Sequence, residues 1–328
     1  AWRRPVAQSP PSDAMPALAR TDLVDPALFE AARRLHLDVR RVAPRGRFAD
    51  HRSRDRGTGI EFEDHRPYTV GDDLRAVDWN LERRSGRLFV RLFEQQEDVP
   101  LYLLPDVSGS AFLETPPRAL AGLRTTVLLA AAALFQHDTV GVFPFAEDLQ
   151  LLARPAAGRN LAVTLADRLA ALEPGGRTDL PRALERLASM RLRSGIVAVV
   201  SDFFDPAGIE AVTRALGRLR HRLLLIQLTR GSDAEPGLAG DLRLVDCESG
   251  FAEDVSITPA VRARYREAYA AWEGSLAAFC KRRGVPRIQV DCDGDAVAQV
   301  SAALRGETAA DAASGAADRK STRLNSSH

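Results

Sequence analysis

The sequence predicts an α/β fold, a mainly parallel sheet flanked by helices. Three observations carry this reading. From Val99 to Leu304, short apolar runs alternate with longer segments of helical pattern. The clearest runs, VPLYLLPD (99–106), GIVAVVSD (195–202) and RLLLIQLT (222–229), are apolar at successive positions, as strands buried on both faces are. Composition agrees: hydrophobic residues make up 45% and charged residues 27% of 328, with only 6% aromatic, so the core must be mainly Leu, Val and Ala. That length suggests one large domain or two of ordinary size.

Taken in order, residues 1–20 are rich in Pro, Ala and Arg and are expected to be disordered. A short helix is predicted from Pro26 to Leu37. The Arg- and Gly-rich stretch 40–59 has no apolar periodicity. It reads as a solvated loop, or as a basic loop that contacts a phosphate or an acidic partner. In residues 59–100, LFVRLFEQ (88–95) alternates well enough for a strand. The α/β region follows, with a strand at 99–106 and a long apolar helix at 118–136. TVGVFPFA (139–146) is a strand with which LQLLARP (149–155) can pair. Helices are predicted at 160–172 and 180–192, the strand 195–202 next, then a helix at 207–219 and the strand 222–229. A shorter, more polar strand covers 242–248. Thr258 opens a helix running to Arg283, with Pro259 in its first turn. A last strand covers 287–291 and a last helix 295–304. Residues 306–328 are expected to be disordered. Their end, RKSTRLNSSH, resembles translated vector sequence.

Several functions are excluded or disfavoured. Lys+Arg 45 against Asp+Glu 44 leaves a net charge of +1, which gives no global pull toward nucleic acid or anionic membrane. The longest apolar candidate for a membrane span, Leu120 to Phe135, is short and contains Arg124. The beginning, AWRRPVAQSPPSD, has no apolar core of a secretion signal and no initiator Met. Cys247, Cys280 and Cys292 form no C-x-x-C pair, so a reduced, cytoplasmic protein is expected. There is no G-x-x-x-x-G-K, H-E-x-x-H or G-x-S-x-G. DCDGDA (291–296) fails as a calcium loop, because Ala296 and Ala302 stand where Gly and Glu are needed. It reads instead as a strand end and helix cap.

The sharpest chemical feature is DVSGSA (106–111). Asp106 ends a predicted strand, and a turn there can aim its carboxylate and the hydroxyls of Ser108 and Ser110 at one point. Such hard oxygen ligands suit magnesium or manganese. The alternative is a turn in which Asp106 and Ser108 cap the next helix. GGRTDL (175–180) offers Thr178, and SDFFD (201–205) offers Asp202. Both lie where a parallel sheet binds its ligands, at the carboxyl ends of strands.

Asp106, Ser108, Ser110, Thr178 and Asp202 together resemble the metal-ion-dependent adhesion site of von Willebrand factor A domains. The stretch 61–98 resembles the signature of the bacterial domain-of-unknown-function 58 family. Its most specific part is the run R-P-Y-x-x-G-D-D-x-R-x-x-D-W from Arg66 to Trp79. GVFPFAEDLQ, GGRTDL, VVSDFFD and DLRLVDCESG also match in order, and the resemblance spans about residues 25–305. One departure is Ala111, where the family often has Met.

The resemblance implies a von Willebrand factor A-like, Rossmann-like sandwich over 99–305, with a family-specific accessory segment over 21–98 packed on the sheet. It implies a Mg2+ or Mn2+ site made by the five residues. Members are often encoded beside MoxR-type AAA+ ATPases and other von Willebrand A-like proteins, so such an ATPase is the implied partner, in assembly or chaperone-like work. Read from its own residues, the signature stretch offers Tyr68 and Trp79 as amphipathic anchors, and Asp72, Asp73 and Asp78 as partners for Arg66, Arg75, Arg83 or Arg84. These groups either pack the segment or form a docking surface. The expected function is therefore a non-enzymatic, metal-dependent adaptor. Its rivals are a magnesium-dependent phosphatase or hydrolase using Asp106, and a structural protein whose oxygen cluster only caps helices.

Overall fold

The structure, a computed structural model, describes residues 18–35, 61–69, 77–94, 99–158, 160–248 and 250–306. Nearly all of the two expected disordered tails, the basic loop 40–59, and Asp72, Asp73 and Arg75 lie outside the described residues. The chain divides into two compact units, 45–98 and the remainder. Residues 21–98 therefore do not form one accessory segment, because the helices at their start belong to the larger body.

That body opens with α1 (Arg20–Leu23) and α2 (Pro26–Arg34). Asp25 sets the start of α2, its carboxylate accepting the Leu28 amide at 2.7 Å, with Pro26 in the first turn. The helix stops at Arg34, three residues short of the predicted Leu37.

The smaller unit holds β1 (Glu61–Pro67), α3 (Trp79–Ser85) and β2 (Phe89–Glu94), with β1 and β2 antiparallel. Arg66 lies on β1 opposite Val90, and the Tyr68 amide extends the ladder to the Leu88 carbonyl at 2.9 Å. Asp78 was expected as an arginine partner. Its Oδ1 accepts the amides of Asn80 and Leu81, at 2.9 and 3.1 Å, and so caps α3. Gly86, at φ 65°, ends that helix in the left-handed conformation. Trp79 is 52% exposed.

The body resumes with β3 (Leu101–Pro105), a 3₁₀ turn (Gly109–Phe112), α4 (Arg118–Phe135), β4 (Val140–Val142), β5 (Ala153–Ala156), α5 (Leu161–Ala170) and α6 (Leu180–Ser189). It continues with β6 (Ile196–Ser201), α7 (Ile209–Arg218), β7 (Arg222–Thr229), α8 (Gly231–Ala234), β8 (Gly240–Val245), β9 (Ala252–Ile257), α9 (Pro259–Arg283), β10 (Arg287–Asp291) and α10 (Ala296–Arg305). Six strands make one sheet in the order β10-β7-β6-β3-β4-β5, parallel except for the edge strand β5. This is the mainly parallel α/β sheet flanked by helices that the sequence predicted.

Each central strand feeds two cores by simple alternation. Leu101 and Leu103, Ile196, Ala198 and Val200, and Leu224, Ile226 and Leu228 enter one core with α2, α4, α5 and α10. Tyr102 and Leu104, Val197 and Val199, and Leu223 and Leu225 enter the other with α6, α7 and α9. Among the described residues, α4 is the one helix long and apolar enough to cross a membrane, and 83% of it is buried in this core.

Two predicted strands change. Residues 139–146 give only the three-residue β4, because Pro105 of β3 has no amide to offer the Phe143 carbonyl, although the Phe143 and Phe145 amides still donate to Leu103 and Pro105 at 2.8 and 3.0 Å. The predicted strand 242–248 is not in the sheet. Its first part is β8, which pairs antiparallel with the unpredicted β9 in a separate ribbon. Neither ribbon strand has a buried residue. The sequence AEDVSI is too polar to announce a core strand.

Candidate metal-type site at the carboxyl ends of the strands

The site forms where β3 and β6 end side by side. Asp106 directly follows β3, its amide donating to the Val200 carbonyl at 2.9 Å, and its side chain is 6% exposed. Its Oδ1 accepts the Ser108 amide at 3.0 Å and its Oδ2 the Ser201 hydroxyl at 2.7 Å. Ser201 Oγ also accepts the Phe203 amide at 3.0 Å, while Phe203 is buried at φ 62°. A bulky residue there is strained, and the surrounding loop must hold it. Next to Ser201, Asp202 Oδ1 accepts the Phe204 amide at 3.0 Å.

The hydroxyls gather on the other side of Asp106. Ser108 Oγ and Ser110 Oγ are 3.0 Å apart, in hydrogen-bond contact. The loop bearing Thr178 is drawn to them by backbone bonds. The Gly175 amide donates to the Val107 carbonyl at 2.6 Å, and the Gly109 amide to the Gly176 carbonyl at 3.0 Å. Glycine is needed at 175, where a Cβ would lie 2.3 Å from that of Ala146. Asp205, buried in the loop after β6, braces the same region, its Oδ2 accepting the Leu180 amide at 2.8 Å. Burial raises the Asp205 pKa, against the bonds from Ala207 and Leu180 that lower it.

The helix-cap alternative is not what these residues do. Ser108 makes no side-chain cap to the 3₁₀ turn. Asp179 caps α6, accepting the Arg182 amide at 3.0 Å, and so the Thr178 hydroxyl is left for another partner. That partner is Glu248, which the sequence reading missed. Its Oε1 accepts from Thr178 Oγ1 at 2.8 Å and from Ser110 Oγ at 3.0 Å. Glu248 comes from the turn between β8 and β9. Its only sequence signal was membership of the stretch DCESG.

Charged groups are concentrated at and beside the site. Burial, and then the charge of Asp202, push the Asp106 carboxyl up to about 7, although hydrogen bonds from Ser201 and Ser108 pull it down. Behind the site lies Arg118, 1% exposed. It pairs with Glu114 at 2.9 Å and with Asp233, and donates to the Leu228 carbonyl at 3.1 Å. Burial alone lowers its pKa, but the charges of Asp202 and Asp233 raise it above the ordinary value. Arg230 continues the network, to Glu114 at 2.9 Å and Asp293 at 3.1 Å.

Asp106, Ser108, Ser110 and Thr178 are thus joined through neighbouring contacts, and Asp202 is near enough to raise Asp106. Among the described residues, no three His, Cys, Asp or Glu side chains surround a single cation position. What the site offers is hydroxyls with a few carboxylates.

The profile described as Protein of unknown function DUF58 matches residues 64–274. The chain belongs to this family. The DUF58 match takes in all five predicted site residues and Glu248. An uncharacterized protein of Mycobacterium tuberculosis (strain H37Rv) is 30% identical over 296 residues, 87% of this chain and 91% of that one. An uncharacterized protein of Mycobacterium bovis matches to the same extent, 30% over 296 residues with 87% and 91% covered. Matches to solved structures include BatB from Bacteroides thetaiotaomicron, at 14% identity and a TM-score of 0.38, covering 62% of this DUF58 chain and 95% of BatB. Another is the ArnB paralog VWA2 from Sulfolobus acidocaldarius, at 16% and 0.28, covering 41% and 35%.

Proposed function

We propose that this DUF58 protein is a non-enzymatic protein-binding module whose site works with a divalent cation, Mg2+ or Mn2+. The observation that carries the reading is the linked set Asp106, Ser108, Ser110 and Thr178, with Asp202 beside it, at the carboxyl ends of β3 and β6. The donors fit the group: oxygens only, with two carboxylates for charge and three hydroxyls that add none. A bound divalent ion supplies an electrophilic centre for a carboxylate on another chain. The protein's own residues hold the geometry. Ser201 and the Ser108 amide fix both Asp106 oxygens, an arrangement that suits a held ligand better than an attacking nucleophile. The partner suggested by the family resemblance is a MoxR-type AAA+ ATPase, met in the cytoplasm during assembly or chaperone-like work.

The test is thermal melting with calorimetry, followed by capture of a co-encoded ATPase. Magnesium at about 100 times Kd should stabilise the protein by about 2.7 kcal/mol. Asp106→Ala should abolish that response while the chain stays folded. Capture should need metal and fail in Thr178→Ala. A folded protein that shows no response to millimolar metal would sink the metal reading. ATP turnover by the purified protein, lost in Asp106→Ala, would overturn the non-enzymatic one.

A further inference from the structure

We propose that the β8–β9 ribbon is a built-in cap on this site. Glu248 fastens it, as the chain's own carboxylate in the place a partner's carboxylate would take. The contacts are specific, since one oxygen, Glu248 Oε1, accepts from the two hydroxyls of Thr178 and Ser110, which belong to different loops. Glu248 is itself aimed by the ribbon turn. Its amide donates to Asp246 Oδ1 at 3.0 Å, and the turn is closed by the Gly250 amide on the Asp246 carbonyl at 2.8 Å.

The rest of the ribbon is weakly held. No residue of either strand is buried, and a two-stranded hairpin is marginal on its own. Between the ribbon and the start of α9 is a cavity of about 420 Å³, lined by Leu244, Val255, Ile257, Val261 and Tyr265. An element so loosely packed opens at low cost. Its charged tie to the hydroxyls is therefore a large part of what keeps it closed. The cap gives the site a threshold. A partner must bring an acidic side chain that displaces Glu248, and a stray carboxylate of lower affinity leaves the ribbon shut.

The fastening stands without a metal. Only the role of Glu248 as an internal ligand of the ion rests on the function proposed above. Two measurements on the full chain separate them. In chelator, amide hydrogen exchange is followed for residues 240–257 in the wild type, Glu248→Ala and Glu248→Gln. Ribbon amides should exchange about tenfold faster in Glu248→Ala, with a smaller change in Glu248→Gln, while sheet amides stay protected. Unchanged ribbon exchange overturns the cap. With Mn2+ as the probe, water proton relaxation per bound ion should be higher in Glu248→Ala than in the wild type, because water takes the position the carboxylate leaves. Equal relaxation with both chains loaded overturns the internal-ligand role. If neither chain binds Mn2+, the proposed function and the ligand role fall together, and the exchange result still decides the cap.

Discussion

Gly175 sets the position of Thr178 by what it lacks. Its amide reaches the Val107 carbonyl, and a Cβ there would lie 3.1 Å from that oxygen as well as 2.3 Å from Ala146. Backbone and a short side chain give way poorly, so Gly175→Ala must push the loop outward. The expected cost is about 1–3 kcal/mol, with a weaker melting response to magnesium than the wild type. Wild-type melting in both conditions would show that the close approach is dispensable. A second residue predicts a pH dependence. His221 packs edge-on against Tyr102 at 5.3 Å, and burial lowers its pKa from the ordinary 6.5. Folding therefore disfavours the charged imidazole. The stability this contributes is complete above about pH 6.5 and is lost as the pH falls through the lower folded value. His221→Phe should lose less stability than the wild type between pH 7 and pH 5 in urea melts. Parallel losses would assign the acid sensitivity to other groups. At this scale the sequence marked Asp106, Ser108, Ser110, Thr178 and Asp202, because polar residues straight after buried strands stand out. It did not mark Ser201, which is part of β6 and looks like its last strand residue.

Among the elements, α2 is the clearest bond between the beginning of the chain and the body. Leu28 and Ala32 are buried in the core shared with α4. Asp25, besides capping α2, pairs with Arg124 of α4 at 2.6 Å, and that guanidinium holds the Asp25 carboxyl below its usual range. Arg124 also donates to the Asp22 carbonyl at 2.8 Å. Leu28→Ala should cost about 2–5 kcal/mol as a buried cavity, measured by denaturant melts. A cost below 1 kcal/mol would mean that α2 is peripheral. The sequence revealed α2 through Asp25-Pro26, and revealed β3, β6 and β7 through runs apolar on both faces. It hid β9, whose residues are shared between solvent and the cavity beside α9. Strand pairing outside a core leaves little trace in composition.

For the whole molecule, the parallel sheet was legible because alternation of element types admits few arrangements. The site was legible only as far as its residues follow strands. Glu248 stands 138 residues from Ser110 and 70 from Thr178, and no spacing rule joins a ribbon turn to two loops so far away. Distance along the chain matters for α4 in another way. Synthesis releases this helix before β6, β7 and α10, the later elements that help enclose it. In that interval a strongly apolar segment, long enough for a bilayer, has only its upstream neighbours for shelter. The nascent protein is then at its most vulnerable to aggregation and to holding chaperones. A chain ending at Arg283 lacks β10 and α10, and with them Val290, Val297 and Val300 of the α4 core. It should collect in the insoluble fraction or on chaperones while the complete chain stays soluble. A soluble, cooperatively folding product from the shortened gene would show that α4 is safely covered earlier in synthesis.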